Sequence, residues 1–204
     1  MKKQIYKWIF CNLMGWKIEG NFDKNIKKSI LMVMPHTSWH DFYVAILCRG
    51  VIGAEINWIG KKELFRFPFG FFFKFFGGAP LDRTGGLNKV DSTAKLFDSK
   101  KTFRLGLSPE GTRKKVEILK TGFYYIAMKA GVPIIPVAMN FEKKVFDFGD
   151  AFYPTGNLET DLIHLNKHFA GVKGKIPQNG YDPSSILNPR ESRRFFFKTF
   201  GKEY

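Results

Sequence analysis

The chain has 204 residues, a length that suits one domain with a sizeable core. Its hydrophobic content of 44% excludes wholesale disorder, while a formal net charge of +15 and 23 phenylalanines set it apart from an average globular chain. A field of that sign draws an anionic partner, either a nucleic acid or an anionic bilayer surface, and charge alone does not choose between them.

In chain order, Met1-Lys2-Lys3 is basic, but the apolar stretch from Ile5 to Met14 is short and broken by Lys7 and Asn12, with no small-residue cleavage site. A signal peptide is not expected. The two cysteines, Cys11 and Cys48, sit in apolar surroundings and read as buried thiols of a reducing compartment. Ser29 to Met34 is an apolar run that ends at Pro35 and reads as a buried strand. A helix over Phe42–Cys48 follows, then strands over Glu55–Ile59, Ala79–Leu81 and Phe103–Leu107. Thr121–Ala130 reads as a helix stopped by Gly131, and Ile134–Phe141 as a strand. Gly149–Gly156 is rich in turn residues, and Asn157–Phe169 reads as a surface helix. The tail from Gly171 ends in a basic aromatic cluster at Arg193–Lys198. This alternation predicts a single α/β domain over 1–204, with a largely parallel central sheet flanked by helices and a motif-bearing core over about 30–141.

Four segments carry residues fit for chemistry. In Met34-Pro35-His36-Thr37-Ser38-Trp39-His40-Asp41, four residues separate His36 from Asp41. On one continuous helix they would lie about 140° apart. With His36 in the preceding turn and Ser38 as cap, Ser38-x-x-Asp41 resembles a capping box, and the loop can fold His36 back onto the Asp41 carboxylate. A cap with an incidental histidine fits the same spacing, and His40 is a rival base. Gly77-Gly78-Ala79-Pro80-Leu81-Asp82-Arg83 presents a guanidinium at a strand end, as phosphate binding or as an ion pair. Ser108-Pro109-Glu110-Gly111-Thr112-Arg113 follows a strand; Gly111 there frees the backbone and exposes its N–H, Thr112 and Arg113 suit phosphate oxygens, and Glu110 suits an arginine or an acceptor hydroxyl. A charged surface turn is the plain alternative. Val132, Pro133, Ile134 and Pro136 form an apolar stretch whose two prolines point to an edge strand or a pocket wall.

In this order the segments resemble the glycerolipid acyltransferase family, best known from the 1-acylglycerol-3-phosphate acyltransferases. His36 and Asp41 match its His-x4-Asp motif; Gly77, Asp82 and Arg83 match its Gly-rich block; Pro109–Arg113 match its Pro-Glu-Gly-Thr-Arg block; Val132–Val137 match its Val-Pro-Ile-x-Pro-Val block. Pro35 stands where family members often have asparagine. The resemblance implies transfer of an acyl group from acyl-CoA or acyl-carrier protein to a hydroxyl of a lysophospholipid-like acceptor. It implies His36 as base and Asp41 as its orienting carboxylate, with Arg83, Glu110, Gly111, Thr112 and Arg113 on the acceptor. It calls for no metal and no cofactor beyond the thioester co-substrate. A different lyso-acceptor, such as an N-acyl amino-acid lipid, is the alternative.

Phe65–Phe76 interleaves phenylalanines with Arg66 and Lys74. Phe69, Phe71, Phe72, Phe73, Lys74 and Phe75 read as an interfacial helix in contact with an anionic membrane surface, the alternative being a core helix with outward cations. No stretch reaches the ~18 apolar residues of a membrane span, so a peripheral location on the cytoplasmic face is expected. A basic nucleic-acid-binding module is the rival from another class; it leaves the four motif segments unexplained, and no nucleic-acid partner is expected. His164 and His168 share a helix face but lack the glutamate of a zinc-protease motif, and a solvent-facing pair is expected.

Overall fold

The computed structural model describes residues 2–68, 70–81 and 89–187. The chain opens on α1 (Lys2–Lys7), which continues as a π-helical stretch over Trp8–Leu13, and then β1 (Lys17–Gly20). The central run forms β2 (Lys28–Met34), followed by α2 (His40–Ile52), β3 (Asn57–Lys61), α3 (Gly70–Phe75) and β4 (Gly78–Leu81). Next come α4 (Lys89–Ser99), β5 (Phe103–Leu107), α5 (Gly122–Ala130), β6 (Ile134–Asn140) and β7 (Val145–Phe148). The described chain ends on α6 (Leu158–Asn166), a 3₁₀ turn over Lys167–Phe169, a second over Pro177–Asn179, and α7 (Ser184–Leu187).

The strands form one sheet in the order β1-β7-β6-β2-β5-β3-β4. Pairing is parallel throughout except between β6 and β7. The α/β domain with a largely parallel sheet is thus as expected. β2 is buried on both faces: Ile30, Met32 and Met34 join the core beneath α5 and α6, while Leu31 joins Phe10, Val44, Cys48 and Ile135 beneath α1 and α2. That two-sided burial explains why the strand is a continuous apolar run rather than an alternating one.

Two expectations are corrected. β6 is no edge strand, for it lies between β2 and β7 with all seven residues buried. Its Pro136 is tolerated because the β7 ladder covers only Val137–Asn140 and pairing resumes at the Ile134–Phe152 bridge, so the missing donor falls in the gap. The helix begun at Asn157 lies on the surface by one face only; Leu162 and Leu165 are buried in the core. Asn157 caps it by accepting the Thr160 N–H at 3.1 Å.

The topology creates a crevice. β2 and β5 are parallel neighbours, yet the chain leaving β2 forms α2 on one face of the sheet and the chain leaving β5 leads to α5 on the other. In open α/β sheets such a divergence beyond the carboxyl ends of strands is where ligands bind.

Candidate active site

The loop after β2 places His36 in that crevice. Its Nδ1 lies 2.9 Å from Asp41 Oδ2, with the imidazole about one third exposed and the carboxylate almost fully buried. Asp41 occupies the first turn of α2 and is held there locally: the same Oδ2 accepts the backbone N–H groups of Thr37 at 2.7 Å and Ser38 at 2.9 Å. These bonds are the return half of a capping box. The forward half is altered, because Ser38 Oγ accepts the His40 N–H at 3.3 Å and the helix starts at His40. The loop therefore does what the spacing allows, folding His36 back onto a carboxylate that α2 holds still. Asp41 Oδ1 is buried with no hydrogen-bond partner among the described residues.

A histidine whose Nδ1 faces a carboxylate is held in one tautomer, leaving Nε2 as the basic nitrogen. Among the described residues His40 has no such partner: its Nδ1 lies 2.8 Å from Ser38 Oγ and its ring packs against Trp39 and Tyr43. Between the two histidines, geometry favours His36 as the base.

The turn after β5 approaches the same loop. Glu110 is 1% exposed, and its carboxylate accepts the His36 N–H and the Ser108 hydroxyl on one oxygen and the Tyr181 N–H, at 3.2 Å, on the other. Burial pushes this carboxyl above the ordinary range, opposed by those donors, which favour the ionised form. The sequence points Glu110 outward, to an acceptor or an arginine; the structure turns it inward, onto the backbone beside His36.

Gly111 adopts a φ of +63°, which favours glycine, as expected. Its N–H is not presented to a ligand, because it donates to the Ser108 carbonyl at 3.1 Å and closes the turn. Thr112 and Arg113 are exposed, and Thr112 Oγ1 accepts the Lys114 N–H at 3.3 Å. Asp82 and Arg83 lie outside the described residues. Val132, Pro133, Ile134 and Pro136 are buried, with Val132 and Ile134 inside the hydrophobic core. Val132 and Ile134 pack there with residues of α5 and α6.

The phenylalanine-rich stretch has two faces. Phe73 is half-buried and packs edge-on against Trp58, Phe42 and Phe65. Phe71 and Phe75 are 82% and 68% exposed, and Phe72 is half exposed, with Lys74 exposed among them. Phe73 is thus an internal anchor, which corrects its assignment as a membrane contact. Its ring packs a helix only six residues long onto Phe42 and Trp58. Phe69 lies outside the described residues. His164 is exposed and stacks on Phe152, whereas His168 turns partly inward toward Asp147, its Nε2 3.5 Å from the carboxylate.

One contributor had no sequence signal. The segment after α6 returns to the crevice, where the Ile176 N–H donates to Thr37 Oγ1 at 3.2 Å and the Tyr181 N–H donates to Glu110. Partners more than 70 residues apart leave no local pattern to read.

The acyltransferase family model matches residues 17–140. The chain belongs to the acyltransferase family. The matched span holds β1 to β6, and with them His36, Asp41 and the Pro109–Arg113 turn. Among curated proteins, the chain is 37% identical over 132 residues to the 1-acyl-sn-glycerol-3-phosphate acyltransferase of Haemophilus influenzae, covering 61% of this chain and 54% of that protein. The Escherichia coli enzyme of the same name is 34% identical over 136 residues, covering 63% and 54%. A chloroplastic counterpart from Brassica napus is 30% identical over 122 residues, covering 57% of this chain and 34% of the relative. The match therefore spans about a third to a half of these relatives' length. The fold is shared with the crystal structure of the 1-acyl-sn-glycerophosphate acyltransferase PlsC from Thermotoga maritima. The TM-score is 0.56 at 21% identity, covering 81% of this chain and 74% of that one.

Proposed function

We propose that this family member transfers a fatty acyl group from acyl-CoA or acyl-carrier protein to a hydroxyl of a lysophospholipid-like acceptor. The names of its relatives favour 1-acylglycerol-3-phosphate as that acceptor. The observation that carries the reading is the contact of His36 Nδ1 with the buried Asp41 carboxylate, at 2.9 Å, in the crevice beyond β2 and β5. His36 Nε2 takes the proton of the acceptor hydroxyl as its oxygen attacks the thioester carbonyl. Asp41 stabilises the imidazolium that forms. The tetrahedral intermediate collapses, the carbon–sulfur bond breaks, and the imidazolium returns its proton to the departing thiolate. General-base help of this kind contributes about 10²–10⁴ in rate. No acyl-enzyme, metal or further cofactor is called for. Arg113 and Thr112, with Arg83, supply cationic and hydroxyl donors for the acceptor phosphate.

The acceptor is reached from the membrane side. No helix among the described residues is long and apolar enough to cross a bilayer. Among the described residues, the large apolar side chains that are at least half exposed are Ile5, Trp8, Leu13, Trp39, Phe67, Phe71, Phe72, Phe75 and Tyr153. All but Tyr153 belong to the layer of α1 and its π-helical continuation, the start of α2 and the stretch through α3, on one side of the sheet. Lys2, Lys3, Lys7, Arg66 and Lys74 are interspersed, and neither α1 nor α3 carries an acid in its first turn. Exposed aromatics beside cations suit the boundary of an anionic leaflet, and Trp39 brings that layer next to His36. A nucleic acid would leave both the apolar surface and the His36–Asp41 pair without a role.

The test is an assay of the purified protein against a panel of lyso-acceptors with acyl-CoA and acyl-carrier donors, read by mass spectrometry. Acylation of 1-acylglycerol-3-phosphate above the other acceptors is the expected result. Preference for an N-acyl amino-acid lipid would replace the acceptor and keep the chemistry, and acylation of none would remove the function.

A further inference from the structure

We propose that Glu110 is a positioning residue for His36, braced from behind by the segment 173–181. The inference rests on His36 acting as the base. Three pieces of chain distant in sequence meet at this one buried carboxylate: the His36 loop, the turn after β5, and the returning C-terminal segment. Each offers a donor, and a carboxylate, which only accepts, is the group that satisfies all three at once. The bond to the His36 N–H fixes the backbone from which the imidazole projects, just as Asp41 fixes the ring. Two anchors on one residue, at its amide and at its Nδ1, leave His36 little freedom to leave the near-attack position.

The brace has its own contacts. Thr37, next to His36 and 1% exposed, accepts the Ile176 N–H at 3.2 Å, and the Phe141 N–H at the end of β6 donates to the Lys173 carbonyl at 2.8 Å. Gly174 passes so close that a Cβ there would lie 2.6 Å from Thr37 Oγ1. The backbone is thus pressed against the catalytic loop where no larger residue fits. A residue meant to meet the acceptor would keep an oxygen facing the crevice, whereas Glu110 has both oxygens occupied by its own chain.

Glu110→Gln in the full chain tests this. The amide replaces one accepting oxygen with a donor, so either the His36 or the Tyr181 N–H is left facing another N–H. Two readouts are measured. Hydrogen exchange by NMR of those two amides is independent of any acyl transfer, and at least one should exchange about tenfold faster in the variant. Steady-state kinetics should show kcat falling on the order of 10²-fold, the scale of a slightly misplaced catalytic group, with the acceptor KM within about twofold. Thr37→Val loosens only the brace and should lower kcat several-fold, again with KM held, which keeps the test usable if the glutamine variant fails to fold. A tenfold rise in acceptor KM with kcat preserved would overturn the proposal and make Glu110 a substrate contact. Unchanged exchange and kcat in folded Glu110→Gln, or wild-type kcat in folded Thr37→Val, would also overturn it. A wild-type protein that acylates nothing would instead sink the proposed function, and the exchange data would still decide the positioning.

Discussion

Replacing Asp41 with asparagine separates the fold of the His36 loop from its charge. In the wild type one oxygen, Oδ2, accepts Thr37 N–H, Ser38 N–H and His36 Nδ1–H, while Oδ1 meets no partner among the described residues. An asparagine can keep its carbonyl oxygen at the Oδ2 position and place its amide where Oδ1 stood, so the loop and the start of α2 persist. What is lost is the negative charge beside the imidazolium. Two unit charges about 4 Å apart gain about 4 kcal/mol at an effective dielectric of about 20, which is close to 10³ in rate. Solvent reaches part of the His36 ring, which is one third exposed, and screens the pair. The expected loss in kcat is therefore roughly 10²- to 10³-fold, with the acceptor KM within about twofold and near-UV circular dichroism unchanged. The assay is steady-state transfer from acyl-CoA at saturating acceptor, run on protein of verified fold. A folded Asp41→Asn variant within about fivefold of wild-type kcat would instead show that Asp41 acts as a helix cap and nothing more.

Other outcomes follow from the same geometry. His40→Ala should retain near wild-type turnover, because among the described residues its ring meets Ser38, Trp39 and Tyr43 and no carboxylate; loss confined to this variant would move the base to His40. Arg113→Ala should raise the acceptor KM about 30-fold and leave the donor KM unmoved, the low end of the 2–5 kcal/mol cost of breaking a charged hydrogen-bonded pair for a side chain that is exposed; a shift in donor KM would assign Arg113 to the thioester carrier. Phe71 and Phe75 changed together to Ser should weaken co-sedimentation with anionic vesicles and activity on vesicle-held acceptor while sparing a short-chain soluble acceptor. Phe73→Ser should instead cost about 1–3 kcal/mol of stability by denaturant titration, and equal loss of both activities in the Phe71/Phe75 variant would show that those rings are structural. Because burial raises the Glu110 carboxyl, the native state binds its proton more tightly than the unfolded state does. Stability should then fall as pH rises from the ordinary carboxylate range through the raised value, and Glu110→Gln should flatten that slope in pH-dependent unfolding.

The sequence makes the centre of this molecule legible and leaves its periphery dark, for physical reasons. β2 and β6 announce themselves because strands buried on both faces are largely apolar runs, whereas β5 carries Arg104 and Gly106 among its apolar residues. The His36–Asp41 pairing is legible because a loop followed by a helix start brings those two positions together whatever surrounds them. β1 (Lys17-Ile18-Glu19-Gly20) and β7 are only four residues each and exist because they pair with each other and with β6, which no local pattern encodes. Pro136 misleads as an edge signal because the gap opposite it is made by a distant turn. Glu110 and Gly111 look like ligand groups in the sequence; the donors that claim Glu110 lie 74 and 71 residues away at His36 and Tyr181. Phe73 and Phe71 are indistinguishable by composition, and Trp58 and Phe42 decide which ring turns inward.

If His36 is the base of a direct acyl transfer, its loss slows the chemical step itself. That role is tested most directly by comparing single-turnover ester formation in wild-type and His36→Ala protein, both shown to be folded, with 1-acylglycerol-3-phosphate and acyl-CoA. Rapid ester formation is expected in the wild type, and a rate lower by at least about 10² in the variant. Equal rates in the two proteins would contradict that role.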